Sequence, residues 1–259
     1  MSLIKTHLLP QTYMTRVAVR TDDFQLAYRL IKKLRQSKIN YIQLEYDKPL
    51  PSDIIFWFGT HKEVQQSSDK KGIPCDIDLV DATVQKHINL LLAGENVKLL
   101  SFGIDTGPRP GLAWFADGKL IDSLQLEDID SLVSEINQII YYISPKSSII
   151  RIGRGPKTLS NRIVNNCLGQ GFNVELVDEK NTSLGSRHDH VSSAKNIGLK
   201  SGIRIFNQLK VIPTKGEVRE IQRISRLASH GRSTIPSNLA RSVATGRLSL
   251  TEAINLHSQ

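Results

Sequence analysis

The sequence predicts an α/β protein: a small parallel βαβ unit, then a mixed five-stranded sheet flanked by helices, then a basic helical tail. Three observations lead there. Short apolar runs bounded by turn residues alternate with helix-period segments from residue 14 to about 205. Around Asp117-Gly118 two strand-like runs are joined by a two-residue Asp-Gly loop, a strong hairpin signal. After Phe206 the strand-like runs stop, and eight Lys or Arg face three Glu.

Taken in order, residues 1–13 read as a flexible extension, because the first strand-like run begins just after Met14. Arg16–Arg20 is the first strand. Asp22 or Asp23 can cap the helix that follows, with Leu26, Ala27, Leu30, Ile31 and Leu34 on one face. Tyr41–Glu45 and Ile54–Phe58 are the next strands, and a strand–helix–strand order implies parallel pairing. Lys62–Gly72 is polar and reads as a loop, and Val84–Ala93 as a helix leading out of a unit spanning residues 14–97.

The second unit, residues 98–205, opens with an apolar run that ends in Asp105 and turns through Gly107-Pro-Arg-Pro-Gly111. Leu112–Ala116 and Lys119–Leu126 complete three antiparallel strands. A helix carries Ile129, Leu132, Val133, Ile136, Ile139, Ile140 and Ile143 at helical spacing and stops before Pro145. A fourth strand, Ser147–Ile152, runs into Gly153-Arg154-Gly155-Pro156. The next helix carries Leu159, Ile163, Val164, Cys167 and Leu168 and ends at Gly169 and Gly171. A fifth strand, Asn173–Val177, runs into Asp178-Glu179, and a last helix runs from near Asp189 to Leu199. The tail, residues 206–259, holds two short helices, near 216–228 and 235–244.

Composition narrows the function classes. The 259 residues carry a formal charge of +9, which favours a polyanionic partner, nucleic acid first. No run approaches the ~20 apolar residues that cross a bilayer, and no leader pattern is present. Cys75 and Cys167 stand at no metal or redox spacing. These features point to a cytoplasmic protein with reduced, buried thiols and no membrane partner.

The order βββαβαβα is the RNase H-like topology. Residues 98 to about 203, roughly two fifths of the chain, resemble the RuvC and YqgF branch of that superfamily, the Holliday junction resolvases and RNA-processing nucleases. The resemblance rests on Gly103-Ile-Asp-Thr-Gly-Pro-Arg-Pro-Gly, on Leu176-Val-Asp-Glu-Lys-Asn-Thr-Ser183, and on His188-Asp189-His190 leading into Val191-Ser-Ser-Ala-Lys. It implies a metal-dependent endonuclease acting on a DNA junction or structured RNA. Two Mg²⁺ (or Mn²⁺) held about 4 Å apart would activate water and stabilise the leaving oxygen. By the resemblance Asp105, Glu179 and Asp189 are the catalytic residues. Asp178 joins them as a metal-ligand candidate, and which acid of Asp178-Glu179 binds stays open. A homodimer is also left open. The sequence departs from RuvC proteins at the end of the fourth strand, where Arg151-Ile-Gly-Arg-Gly155 supplies no acid; the YqgF branch also lacks it.

Plainer readings compete. Asp105 could be a turn former, Asp178-Glu179 a solvated loop, Asp189 a helix N-cap, and His188 and His190 surface histidines. Arg109 and Arg154 follow strands on the proposed active edge and are candidates for phosphate contact, or ordinary surface cations. Arg219, Arg223 and Arg226 share a helix face in the tail, next to an expected docking stripe of Ile221, Ile224 and Leu227. They are candidates for clamping a phosphate backbone, or a solvated face. Asp22-Asp23 resembles a receiver-domain acidic pair, but the third strand ends in Phe58-Gly59-Thr60 without an acceptor Asp. A sugar-kinase or actin-like ATPase needs a second duplicated domain, for which too little chain follows residue 203. Two readings survive: a metal-dependent nuclease, and a catalytically inactive nucleic-acid-binding or scaffold protein that keeps the RNase H-like fold.

Overall fold

The computed structural model describes residues 16–178 and 190–258. The chain divides after residue 91 into two compact units. It is an α/β protein with two sheets, flanking helices and a helical C-terminal region.

The first unit holds β1 (Arg16–Arg20), β2 (Tyr41–Leu44), β3 (Ile54–Gly59) and β4 (Gly72–Pro74) in the order β2-β1-β3-β4, all parallel. Helix α1 (Phe24–Gln36) is capped by Asp23, whose carboxylate accepts from the N–H groups of Gln25 and Leu26 at 2.9 and 3.0 Å. Its buried residues are Leu26, Ala27, Leu30 and Leu34, the face that the apolar period predicts.

The segment read as a loop after Lys62 instead contains helix α2 (His61–Gln66) and strand β4. A capping box explains α2: the Thr60 hydroxyl accepts from the Glu63 N–H, and the Glu63 carboxylate accepts from the Thr60 N–H at 2.7 Å. The helix buries no residue, so apolar periodicity gives no sign of it. Helix α3 (Val80–Ala93) follows a short 3₁₀ turn at Ile77–Leu79.

In the second unit β5 (Leu99–Asp105), β6 (Gly111–Ala116), β7 (Lys119–Gln125), β8 (Ser147–Gly153), β9 (Val174–Val177) and β10 (Ile203–Ile205) form one mixed sheet in the order β10-β9-β8-β5-β6-β7. β5, β6 and β7 are antiparallel, and β8 and β9 run parallel to β5. The expected five strands become six, because β10 adds antiparallel to β9. Its three residues are too few to show a period. Asp117 and Gly118 both have positive φ, as a hairpin of this type requires. The Asp117 carboxylate also accepts from Leu99 N–H at 2.8 Å, tying the turn to the start of β5.

Side-chain alternation gives the sheet two faces. Leu100, Phe102 and Ile104 share one face with Ile150 and Ile152 and are fully buried. Ser101, Gly103 and Asp105 point to the other face, where helix α6 (His190–Leu199) lies across β5 and β6. Helices α4 (Leu132–Ile143) and α5 (Lys157–Gly169) form the two connections around β8.

Helices α7 (Lys215–Ala228), α8 (Ser237–Ala244) and α9 (Leu250–Ser258) complete the unit, one helix more than the tail sequence suggested. They share a small core of Val218, Ile235, Ala240 and Ala253. The docking face of α7 is Val218, Ile221 and Ser225; Ile224 and Leu227 of the expected stripe are 38% and 62% exposed. Steps of three residues drift around a 3.6-residue helix, whereas steps of three and four stay on one side.

Candidate functional site

The candidate site is built where β5 stops. Asp105 is the last residue of this inner strand and faces the side on which α6 lies. Helix α6 approaches closely because glycines line its seat. A Cβ on Gly103 would lie 2.1 Å from the Ala194 carbonyl oxygen, and one on Gly111 2.0 Å from the His190 carbonyl oxygen. Gly198, on the helix itself, packs against the Phe115 ring. The first turn of α6 therefore comes to Asp105, and His190 Nδ1 is 2.6 Å from Asp105 Oδ2. Gly107 leaves room for the imidazole ring, its absent Cβ position being 3.1 Å from His190 Cε1. Both side chains are mostly covered, with Asp105 the less exposed.

The other end of α6 is fixed by charge. Arg151 pairs with Glu175 across β8 and β9 at 3.1 Å and donates to the Gly198 carbonyl at 2.6 Å. A cation at a helix C-terminus satisfies a free carbonyl and opposes the negative end of the dipole. Beyond Asp105, Thr106 is buried and its hydroxyl donates to Gly153 O at 3.4 Å. Gly155 packs directly on that hydroxyl. The loops after β5 and β8 thus form one rim. Beside it lies a surface cavity of ≈ 360 Å³, lined in part by Arg154, Lys157, Ser160 and Asn161.

The sequence-predicted residues distribute as follows. Asp105 is at the inner strand end, with His190 as its side-chain partner among the described residues. Asp178 is exposed, directly after β9 on the same edge of the sheet. One strand separates β9 from β5, so the two chain positions are about 10 Å apart across the sheet. Glu179, Asp189 and His188 lie outside the described residues. Arg154 is exposed on the rim, its N–H bonded to Val177 O at 3.1 Å. Arg109 is exposed in the loop after β5 and pairs with Glu127 at 2.6 Å, a partner the sequence reading did not anticipate.

In the tail, Arg219, Arg223 and Arg226 are all exposed. Arg223 is bound by both oxygens of Glu220, at 2.8 and 2.7 Å. Among the described residues no three His, Cys, Asp or Glu side chains come together as a metal-binding group. By sequence alone His190 reads as a surface histidine; its position at the start of the last helix, one residue after Asp189, is the signal that points to the site.

Comparison with protein families matches residues 214–259 to the family described as Three helical bundle domain. That match coincides with α7, α8 and α9. No curated protein matches the chain. Among the described residues no helix is long and apolar enough to cross a membrane.

Proposed function

We propose that the second unit is an RNase H-like, metal-dependent nuclease of the RuvC/YqgF kind, acting in the cytoplasm on branched DNA or structured RNA. The observation that carries the reading is Asp105, a carboxylate at the end of an inner strand, met there by the first turn of the last helix of the sheet. Two crossovers parallel to a three-stranded antiparallel start are in keeping with that fold.

The donors at the rim fit a divalent cation. Asp105 offers a carboxylate with one side-chain partner among the described residues, Asp178 stands on the same edge, and His190 adds an imidazole nitrogen that Mn²⁺ accepts more readily than Mg²⁺. Asp105, with Glu179 and Asp189, would hold the ion, which when bound would supply charge neutralisation at a phosphate. His190 orients the Asp105 carboxylate. Arg154 and Lys157 are the rim cations available to a phosphate. Arg219 and Arg226, which form no ion pair among the described residues, are the tail cations available to the backbone, and such contacts add affinity rather than sequence choice.

The end of β8 offers Gly153 and Arg154 and no acid. That gap matches the YqgF pattern rather than RuvC, and it leaves, as the second reading, a binding protein without catalysis. The experiment is a Mg²⁺ and Mn²⁺ cleavage panel of four-way junctions, flaps and structured RNA. The nuclease reading expects nicking by the native chain and at least a hundredfold loss in Asp105→Asn, with affinity retained. No cleavage of any substrate selects the binding reading, and an unchanged rate in the variant assigns the cleavage to a contaminant or to a site other than Asp105.

A further inference from the structure

We propose that the outer face of α1, in the first unit, is a stacking platform for single-stranded nucleic acid. The proposal rests on the nucleic-acid part of the reading above and not on the Asp105 site.

Residues 24, 28, 32 and 35 are spaced by four, four and three, so Phe24, Tyr28, Lys32 and Arg35 share one stripe of the helix. The buried residues Leu26, Ala27, Leu30 and Leu34 form the opposite side. Phe24 is 90% exposed and Tyr28 68% exposed. An i,i+4 pair has Cβ atoms about 6 Å apart, so the two rings are neighbours with free faces. The thirteen residues of α1 include Arg29, Lys32, Lys33 and Arg35 and no acid. Arg29 and Lys33 lean towards Asp78 and Asp81, at 3.7 and 3.9 Å. Lys32 has no ion pair among the described residues. Arg35 donates to the Tyr41 hydroxyl at 2.7 Å, with its guanidinium 6.0 Å from that ring's centre. The stripe thus continues as a cation and a third aromatic. The carboxylates at its other end are Asp22 and Asp23, of which Asp23 is engaged in capping the helix.

The chemistry selects the partner. A helix face made to enter a protein groove runs its apolar anchors, aliphatic or aromatic, on through i, i+3 or i+4 and i+7; after Tyr28 this stripe continues with Lys32 and Arg35 instead. Here the one aliphatic residue near the stripe, Ile31, is half-buried. Two free aromatic faces followed by the cations Lys32 and Arg35 match stacked bases joined by phosphates. From Phe24 to Arg35 the stripe is about 16 Å long, room for a few nucleotides. A duplex hides its base faces and gains only the cations.

The test uses the full chain and fluorescein-labelled 12-nucleotide oligo-dT and oligo-U, followed by anisotropy, with a hairpin duplex alongside. The double variant Phe24→Ala/Tyr28→Ala is expected to bind the single strands at least tenfold more weakly and the duplex unchanged. Phe24→Leu/Tyr28→Leu, which keeps apolar bulk and removes the rings, should lose binding in the same way and guards against a folding defect. Lys32→Gln/Arg35→Gln should flatten the salt dependence by a slope of about one to two. Single-strand binding that is absent in the native chain, or intact in both aromatic variants, overturns the proposal. So does a change in sedimentation without a change in affinity, which would make the face a protein contact. The proposal stands if cleavage is absent while single-strand binding still depends on Phe24 and Tyr28; in that case the nuclease reading alone falls.

Discussion

Each sheet has an inner strand that ends among polar residues, and the two ends are finished in opposite ways. After β1, the Thr21 hydroxyl and the Asp22 N–H both donate to Glu63, at 3.0 and 2.8 Å. The Thr60 N–H and hydroxyl also donate to Glu63, at 2.7 and 2.8 Å. Burial alone would raise the pKa of this carboxyl, but these bonds outweigh it and hold Glu63 below the usual carboxylate range. A carboxylate has about four lone-pair sites, and Glu63 meets four donors. After β5, the Asp105 carboxylate meets the His190 imidazole and no other side-chain donor among the described residues. The first strand end is closed and structural; at the second, the described residues give the carboxylate a single side-chain partner. A carboxylate at a strand end is informative only once its donors are counted.

Three substitutions or conditions sharpen this contrast. The largest expected effect is Gly103→Ala. Its Cβ would meet the Ala194 carbonyl at 2.1 Å and the Gly198 nitrogen at 2.3 Å, both backbone atoms, so α6 must move off the sheet. We expect a loss of about 3 kcal/mol in urea unfolding followed by Trp114 fluorescence in a Trp57→Phe background. Gly169→Ala, where a Cβ meets nothing within 4 Å, is the control and should stay within about 0.5 kcal/mol. Equal effects at the two positions would mean that α6 is not seated on Gly103.

Next is Arg151→Met, which leaves Glu175 without its cation and the Gly198 carbonyl without its donor. The expected cost is about 2 kcal/mol in the same assay. Adding Glu175→Gln should recover part of it, because the unpaired charge is then gone. A double variant as unstable as the single one would assign the effect to the lost helix cap alone.

The smallest effect is the pH response of the first unit. His87 packs against the Phe56 and Phe58 rings, and burial lowers its basicity despite a bond at 2.8 Å to Thr83 O. The unfolded chain therefore takes up a proton near pH 6.5, before the folded one does. Stability should be complete above that pH, fall as pH drops through it, and level off below the folded value. A urea midpoint read from Trp57 fluorescence in a Trp114→Phe background checks this, and His87→Leu should flatten the profile. Stability that rises on acidification would contradict the sign.

Much of this fold was legible because its long elements follow simple periods. The strands β1, β3, β5, β6 and β8 and the helices α1, α4 and α5 all carry apolar repeats that match their burial. The elements that escaped are those whose stability is not written in apolar spacing. Helix α2 depends on a capping box, β4 on its neighbour β3, and β10 on pairing with β9. The candidate site divides in the same way. Asp105 was visible because it interrupts an apolar run at a turn. His190 was not, because its meeting with Asp105 spans 85 residues and depends on glycines that let a helix approach. Likewise nothing near Arg109 marks Glu127 as the acid that engages it, whereas Glu220, three residues before Arg223 on one helix, was readable from its spacing.

The central claim is that Asp105 anchors a divalent cation site. Titrating the native chain and Asp105→Asn with Mn²⁺, and following the free-ion electron paramagnetic resonance signal, tests it most directly. We expect the native chain to take up one or two Mn²⁺ and the variant, folded by circular dichroism, to lose at least tenfold in affinity. Identical uptake by the two proteins, or none by the native chain, would contradict it.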